Sequence, residues 1–98
     1  MEVEFEDESL GQLESDPTYA GGFDAVIVKA FRKRMQFIRA ARDERDFYAM
    51  KSLNFEKLKA DRAGQHSMRL NDQWRLILRL EKRDSGKVVV VIEIVDYH

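Results

Sequence analysis

The sequence predicts an α+β domain. Two to three helices should pack on one face of a mainly antiparallel sheet, which begins with a short N-terminal strand and ends in a three-stranded meander. Three observations lead there. Between residues 25 and 41 apolar side chains recur at helical spacing. From Lys57 onward the apolar period drops to two. Turn residues then divide that second half into successive strands.

The elements follow in order. "EVEFED" alternates Val3 and Phe5 with carboxylates, as a short half-buried strand does. Ser9 and Gln12 have capping-box spacing and predict a short helix from Ser9. Pro17 and then Gly21-Gly22 break the pattern. Asp24 is placed to cap the next helix. In "AVIVKAFRKRMQFIRAA", Ile27, Phe31, Met35 and Ile38 form an apolar stripe that Val28 and Ala30 widen. Lys29, Arg32, Lys33, Arg34, Arg39 and Arg42 fill much of the rest. "RDERDFYAMKSL" reads as a charged turn and a short helix. "HSMRL" alternates, "NDQ" turns, and "WRLILRLE" places Trp74, Leu76, Leu78 and Leu80 on one face with Arg75, Ile77, Arg79 and Glu81 on the other. "KRDSGK" is a turn centred on Asp84, Ser85 and Gly86. "VVVVIEIV" is apolar on both faces, so that strand belongs in the sheet interior.

The helix-free face should hold Arg75, Arg79 and Glu93, with Tyr97 pointing the same way. Asp96 and His98 have the opposite parity, and uncompensated burial of both would be costly. Regular pairing is therefore expected to end near Val95, which leaves the last three residues at the rim.

The chain has 98 residues, enough for one domain over residues 1–98 with one modest core. No stretch approaches the ~20 apolar residues of a membrane helix. The acidic start "MEVEFEDESL" has no apolar signal core. The absence of cysteine excludes a disulfide framework and a thiolate nucleophile, and fits a cytoplasmic location. The net charge of −1 conceals an asymmetry: residues 1–24 carry eight acids and no base, and residues 25–98 carry all 17 bases against 10 acids, a balance of +7. A basic body fits a polyanionic partner such as nucleic acid, or merely solvated helix faces.

The polar groups at the rim and on the open face are Arg75, Arg79, Lys57, Lys59, Asp96, Tyr97 and His98. They form no nucleophile elbow and no phosphate-binding glycine loop. Two histidines without cysteine make a poor zinc site, so neither metal nor cofactor is expected. What remains is a general acid/base set beside fixed positive charge. That set suits metal-free RNA cleavage, in which the 2′-hydroxyl attacks the adjacent phosphorus, a base takes its proton, an acid protonates the departing 5′-oxygen, and cations stabilise the added charge. Lys57, Lys59, Arg62 and Arg79 are candidate RNA-binding cations. Each residue also has a plainer reading: a terminal histidine is usually solvated, and aspartate commonly ends a strand. His66 shares the parity of Met68 and Leu70, which makes it a partly buried strand-start residue rather than a catalyst.

"LKADRAGQHSMRLNDQWRLILRLE" and the terminal "VVIEIVDYH" resemble the HigB toxins of the RelE superfamily. The elements LK-x-DR-x-G, N-x-QWR-[LI] and a final DYH are specific in combination. They cover residues 53–98 well and the helices more loosely. The resemblance implies the compact RelE-like toxin fold. It also implies a ribosome-dependent endoribonuclease of a type II toxin–antitoxin pair, cutting mRNA in the ribosomal A site. The implied partners are a HigA-like helix-turn-helix antitoxin, the small ribosomal subunit and mRNA, with operator DNA reached only through the antitoxin complex and no membrane. By position, Arg75 would stabilise charge on the scissile phosphate, Lys59 would contact a phosphate, and Asp96, Tyr97 and His98 would complete the acid/base set.

One departure stands out. Such toxins often carry a histidine shortly before the LK-x-DR element, where this chain has Asn54. Asparagine cannot shuttle a proton at neutral pH but can orient a base or the message through its amide. The chain is then a weakened toxin, a variant with a redistributed mechanism, or a form altered to permit expression. The rival reading is a non-enzymatic RelE-fold module that binds the ribosome or an antitoxin; a free ribonuclease is a third.

Overall fold

The computed structural model describes residues 1–96; Tyr97 and His98 lie outside the described residues. The chain runs β1 (Glu2–Phe5), α1 (Glu8–Ser15), α2 (Ala25–Ala40), α3 (Arg45–Ala49), β2 (Glu56–Lys57), β3 (His66–Arg69), β4 (Trp74–Arg83) and β5 (Gly86–Asp96). Single 3₁₀ turns at Lys51–Leu53 and Ala60–Arg62 flank β2. The sheet order is β1-β5-β4-β3-β2, with β1 parallel to β5 and every other pairing antiparallel. This is the expected α+β architecture, including the β3–β4–β5 meander and an interior position for the valine-rich last strand.

The helical stripe of α2 packs as its spacing requires. Ile27, Val28, Phe31, Met35 and Ile38 are buried, and Phe31 alone is worth about 1.5–3 kcal/mol of transfer free energy. Val28, Phe31, Met35 and Ile38 meet the inward residues of the sheet, Met68, Leu76, Leu78, Val89 and Val91, in one core that also holds Leu10, Leu13, Phe47 and Leu53. Trp74 joins its margin, with its ring edge-on to Phe23 at 6.2 Å.

The acidic N-terminus has specific local uses. Asp24 caps α2 by accepting from the Ile27 amide at 3.0 Å, as expected. The start of α1 differs from expectation. Its cap is Asp7, which accepts both the amide (2.9 Å) and the hydroxyl (2.7 Å) of Ser9, so Ser9 sits inside the helix. A carboxylate two residues upstream outcompetes the Ser9–Gln12 capping box because it satisfies two donors at once and places negative charge at the positive helix end. Glu14 binds Arg39 through both its oxygens, at 2.6 and 2.7 Å. This clamp joins α1 to the end of α2.

The two faces of the sheet differ. On the helix-free face β4 contributes Arg75, Ile77, Arg79 and Glu81, as the alternation predicts. A bulge between Ile77 and Leu78 lets Ile77 pair with Glu93 and Leu78 with Val91, so Ile92 is the extra residue. Such an insertion increases local twist and re-aims the side chains beyond it, and here those are Glu93, Val95 and Asp96. Pairing continues one residue further than expected: Asp96 lies opposite Trp74. Asp96 nevertheless stays exposed, because the strand there has run to the end of the sheet. Among the described residues no helix is long and apolar enough to cross a membrane.

Candidate functional site

Two rows of side chains cross the helix-free face near the end of β5. One runs Arg69–Arg75–Val95, and the next runs Glu56–Ser67–Ile77–Glu93. Arg75 is the centre of the group. Its side chain is only 12% exposed. Its Nη1 donates to the Asn54 carbonyl at 3.3 Å and to the Ser67 hydroxyl at 3.4 Å, and lies 3.9 Å from a Glu56 carboxylate oxygen. A guanidinium held by a strand, a buried hydroxyl and a backbone carbonyl is fixed in place before any ligand arrives. That preorganisation is what an anion-stabilising donor needs.

Asn54 reaches this site through its backbone. It ends the first 3₁₀ turn in the left-handed region (φ 46°, ψ 49°), and its amide donates to the Lys51 carbonyl at 3.0 Å. Asparagine tolerates this conformation better than most residues. Its presence therefore has a conformational reason as well as any chemical one.

The loop that follows carries the candidate cations. Lys57 and Lys59 are exposed. Lys57 belongs to β2 opposite His66. Lys59 is extended, immediately before Ala60, whose φ is +57°. Arg62 is tied down: Nη1 donates to the Gln65 side chain at 2.9 Å and Nη2 lies 3.3 Å from Glu93. Arg79 lies further along the open face and pairs with Glu6 at 2.6 Å and Glu81 at 2.8 Å. At the rim, Asp96 accepts from the Gln73 side-chain amide at 3.0 Å, and its strand partner Trp74 is the residue next to Arg75.

The structure thus brings Arg75, Asn54 and Glu56 into contact, with Ser67 beneath them. Asp96 lies at the adjoining strand end in the row of Trp74, Lys59 lies on the flanking loop, and Lys57, expected on the open face, instead shares the helix-side row of His66 because alternation along β2 gives the open face to Glu56. Arg79 is set apart toward β1. The expected roles of Tyr97 and His98 fall on residues outside those described. His66 is buried, with its ring stacked on Phe55 at 5.0 Å and 5°. Burial, with help from nearby Lys57, lowers its pKa and keeps the imidazole neutral. It belongs to the packing on the helix side.

Sequence reasoning missed Glu56. The residue stands two positions after Asn54, but its importance comes from the register. Only the pairing of β2 with β3 and of β3 with β4 puts its carboxylate beside Arg75. The available signal was the parity of "NFEKL", which separates Glu56 from buried Phe55.

Comparison with known proteins agrees with this fold. A model of the HigB-like toxins, described as the RelE-like toxin of type II toxin–antitoxin system HigB, matches residues 3–98. No curated protein matches significantly. Among solved structures, the YoeB/ParE toxin from Agrobacterium tumefaciens is similar at 18% identity and a TM-score of 0.57, over the whole of both chains. The YoeB–YefM complex from Staphylococcus aureus is similar at 18% identity and a TM-score of 0.60, over all of this chain and 97% of the other. At that identity these structures speak for the shared fold. The family match extends from β1 through the terminal triplet, and the chain therefore belongs to the HigB-like, RelE-type toxins of type II toxin–antitoxin systems.

Proposed function

We propose that this toxin is a ribosome-dependent endoribonuclease that cuts mRNA in the A site by metal-independent attack of a ribose 2′-hydroxyl. The observation that carries the reading is the placement of Arg75. It is a nearly buried, pre-positioned guanidinium beside the Glu56 carboxylate, paired across to Val95 on β5, the strand that carries Asp96. Arg75 holds a non-bridging oxygen of the scissile phosphate and stabilises the charge that builds there. Glu56 or the terminal group takes the 2′-hydroxyl proton, and the other partner supplies a proton to the 5′-oxygen. Within the terminal group, His98 handles the proton, Asp96 orients or assists it, and Tyr97 positions the base or the ribose. Asn54 shapes the wall of the site through its backbone and orients the message through its amide. Lys59 contacts a flanking phosphate. Arg62 reaches the RNA only by exchanging the Glu93 carboxylate that holds it, and Arg79, held by Glu6 and Glu81, stands outside the contact surface. The ribosome supplies the rest of the grip and explains the sparseness of the site. A HigA-like antitoxin is the neutralising partner, and the cytoplasm is where these partners meet.

The experiment is messenger cleavage in a translating extract and on naked message, using the wild type, Glu56→Gln and a form lacking His98. Cleavage on ribosomes alone, lost by orders of magnitude in the His98 truncation, supports the proposal. Ribosome binding without cleavage supports the rival, a non-enzymatic module. That reading gains from Asn54, which supplies no imidazole where such toxins often have one.

A further inference from the structure

The acidic first strand stands against the basic open face. β1 occupies one edge of the sheet and β2, with Lys57, the other. β1 and β4 flank β5, and their long side chains reach toward each other across its outward valines, Val88 and Val90, which are 1% and 4% exposed. Glu6 binds Arg79 at 2.6 Å. Glu4 takes both terminal nitrogens of Arg83, one of them at 2.9 Å. Glu81 joins the two arginines, at 2.8 Å to Arg79 and 3.1 Å to Arg83. Arg83 therefore presents to Glu4 the paired N–H edge with which arginine grips a phosphate, and Arg79 spends donors on two separate carboxylates. These carboxylates belong to the same chain, so a passing polyanion must displace ligands whose local concentration is high.

We propose that Glu4 and Glu6 set one border of the RNA-binding surface: they hold Arg83 and Arg79 as internal counter-ions, so bound RNA tracks across Arg75 toward the β2 edge and the Lys59 loop and does not extend along the β4–β5 hairpin. The inference rests on the nucleic-acid reading above and adds to it the direction of the RNA path. It gives the charge asymmetry of the chain a function: acids at the N-terminus neutralise two selected cations of the open face.

The test measures direct binding of a short single-stranded 2′-O-methyl RNA, which cannot be cleaved because its nucleophile is blocked. Glu4→Gln/Glu6→Gln keeps the side-chain volume over Val88 and Val90 while leaving Glu81 as the one carboxylate shared by the two arginines. Its affinity should rise about tenfold, and its log K against log salt slope should steepen by about 1.4, at roughly 0.7 for each added single-strand phosphate contact. Glu2→Gln/Glu8→Gln makes the same change in net charge without freeing an arginine and should do neither. Arg79→Gln/Arg83→Gln should leave wild-type binding unchanged and abolish the gain in the released background. Equal tightening by both glutamate pairs, no tightening by either, or weakened binding when the arginines are removed from the wild type would each overturn the proposal. The arginine variant keeps the test decisive if the glutamate variant does not fold. The readout is independent of cleavage: a protein that is inactive on ribosomes yet shows the selective tightening loses the proposed function and keeps this border.

Discussion

Replacing Arg75 by alanine separates chemistry from folding by magnitude. The side chain is 12% exposed and donates to the Asn54 carbonyl at 3.3 Å and the Ser67 hydroxyl at 3.4 Å. Both bonds are long, so their loss should destabilise the fold by about 1–2 kcal/mol. A domain of 98 residues has a stability of about 5–15 kcal/mol. Even at the lower limit about 3 kcal/mol remains, and fewer than about 1% of molecules are unfolded. Removing one preorganised donor to a developing anion lowers the rate by about 10²–10³, or roughly 2.7–4 kcal/mol. The two effects therefore differ by orders of magnitude in an activity assay. The measurement is single-turnover cleavage of a ribosome-bound message, with a thermal melt of the same preparation. Arg75→Ala should melt a few degrees lower and cut at least about 100-fold more slowly. Arg75→Lys should recover only part of the rate, because an ammonium keeps the charge but not the planar fork. A well-folded Arg75→Ala protein that cleaves at the wild-type rate would refute the assignment of Arg75 to the scissile phosphate.

Other consequences can be measured separately. Asn54 lies in the left-handed region (φ 46°), so Asn54→Val should lose about 1–2 kcal/mol in denaturant unfolding, whereas Asn54→His keeps a tolerated conformation and adds a proton-transfer group. Asn54→His should increase cleavage and growth arrest, by about tenfold or more; equal arrest at matched expression would remove the Asn54 side chain from the chemistry. Ala60 also has a positive φ, +57°, so Ala60→Gly should stabilise the protein by about 0.5–1 kcal/mol in spite of glycine's usual entropic penalty; a lower melting temperature would contradict this. His66 has a folded pKa below its ordinary value of 6.5, chiefly through burial. The unfolded chain then binds more protons than the native one, so the His66 contribution is present above that ordinary value and lost as pH falls through the folded pKa. Wild-type melting temperature should fall more steeply between about pH 7 and pH 5 than that of His66→Phe; parallel curves would show that His66 is not the group responsible.

Periodicity was enough to read the main elements. The stripe of α2 and the alternation of β4 each follow from one strong local pattern, and burial of one face leaves little freedom in how such patterns pack. Local competition was harder to read: Asp7 and Ser9 both suit a helix cap, and the choice turns on which geometry satisfies more donors. The long-range pairings were least legible. No local pattern in "EVEFE" announces that Glu6 will meet Arg79 and Glu4 will meet Arg83, which lie more than 70 residues away. The same holds for Glu56, which register rather than motif brings to Arg75. Asn54 shows a further limit. Its side-chain chemistry invites comparison with a missing histidine, while its backbone angle supplies an independent reason for the residue that the sequence cannot display.

The most direct test of the chemistry is the cleavage rate of a ribosome-bound message carrying a single 2′-deoxynucleotide on the 5′ side of the mapped cut, compared with the all-ribose message. Attack by the neighbouring 2′-hydroxyl requires that this one substitution abolish cutting at that phosphate and leave binding intact. Undiminished cleavage there would mean that water or another nucleophile makes the attack, and that the groups around Arg75 serve some other reaction.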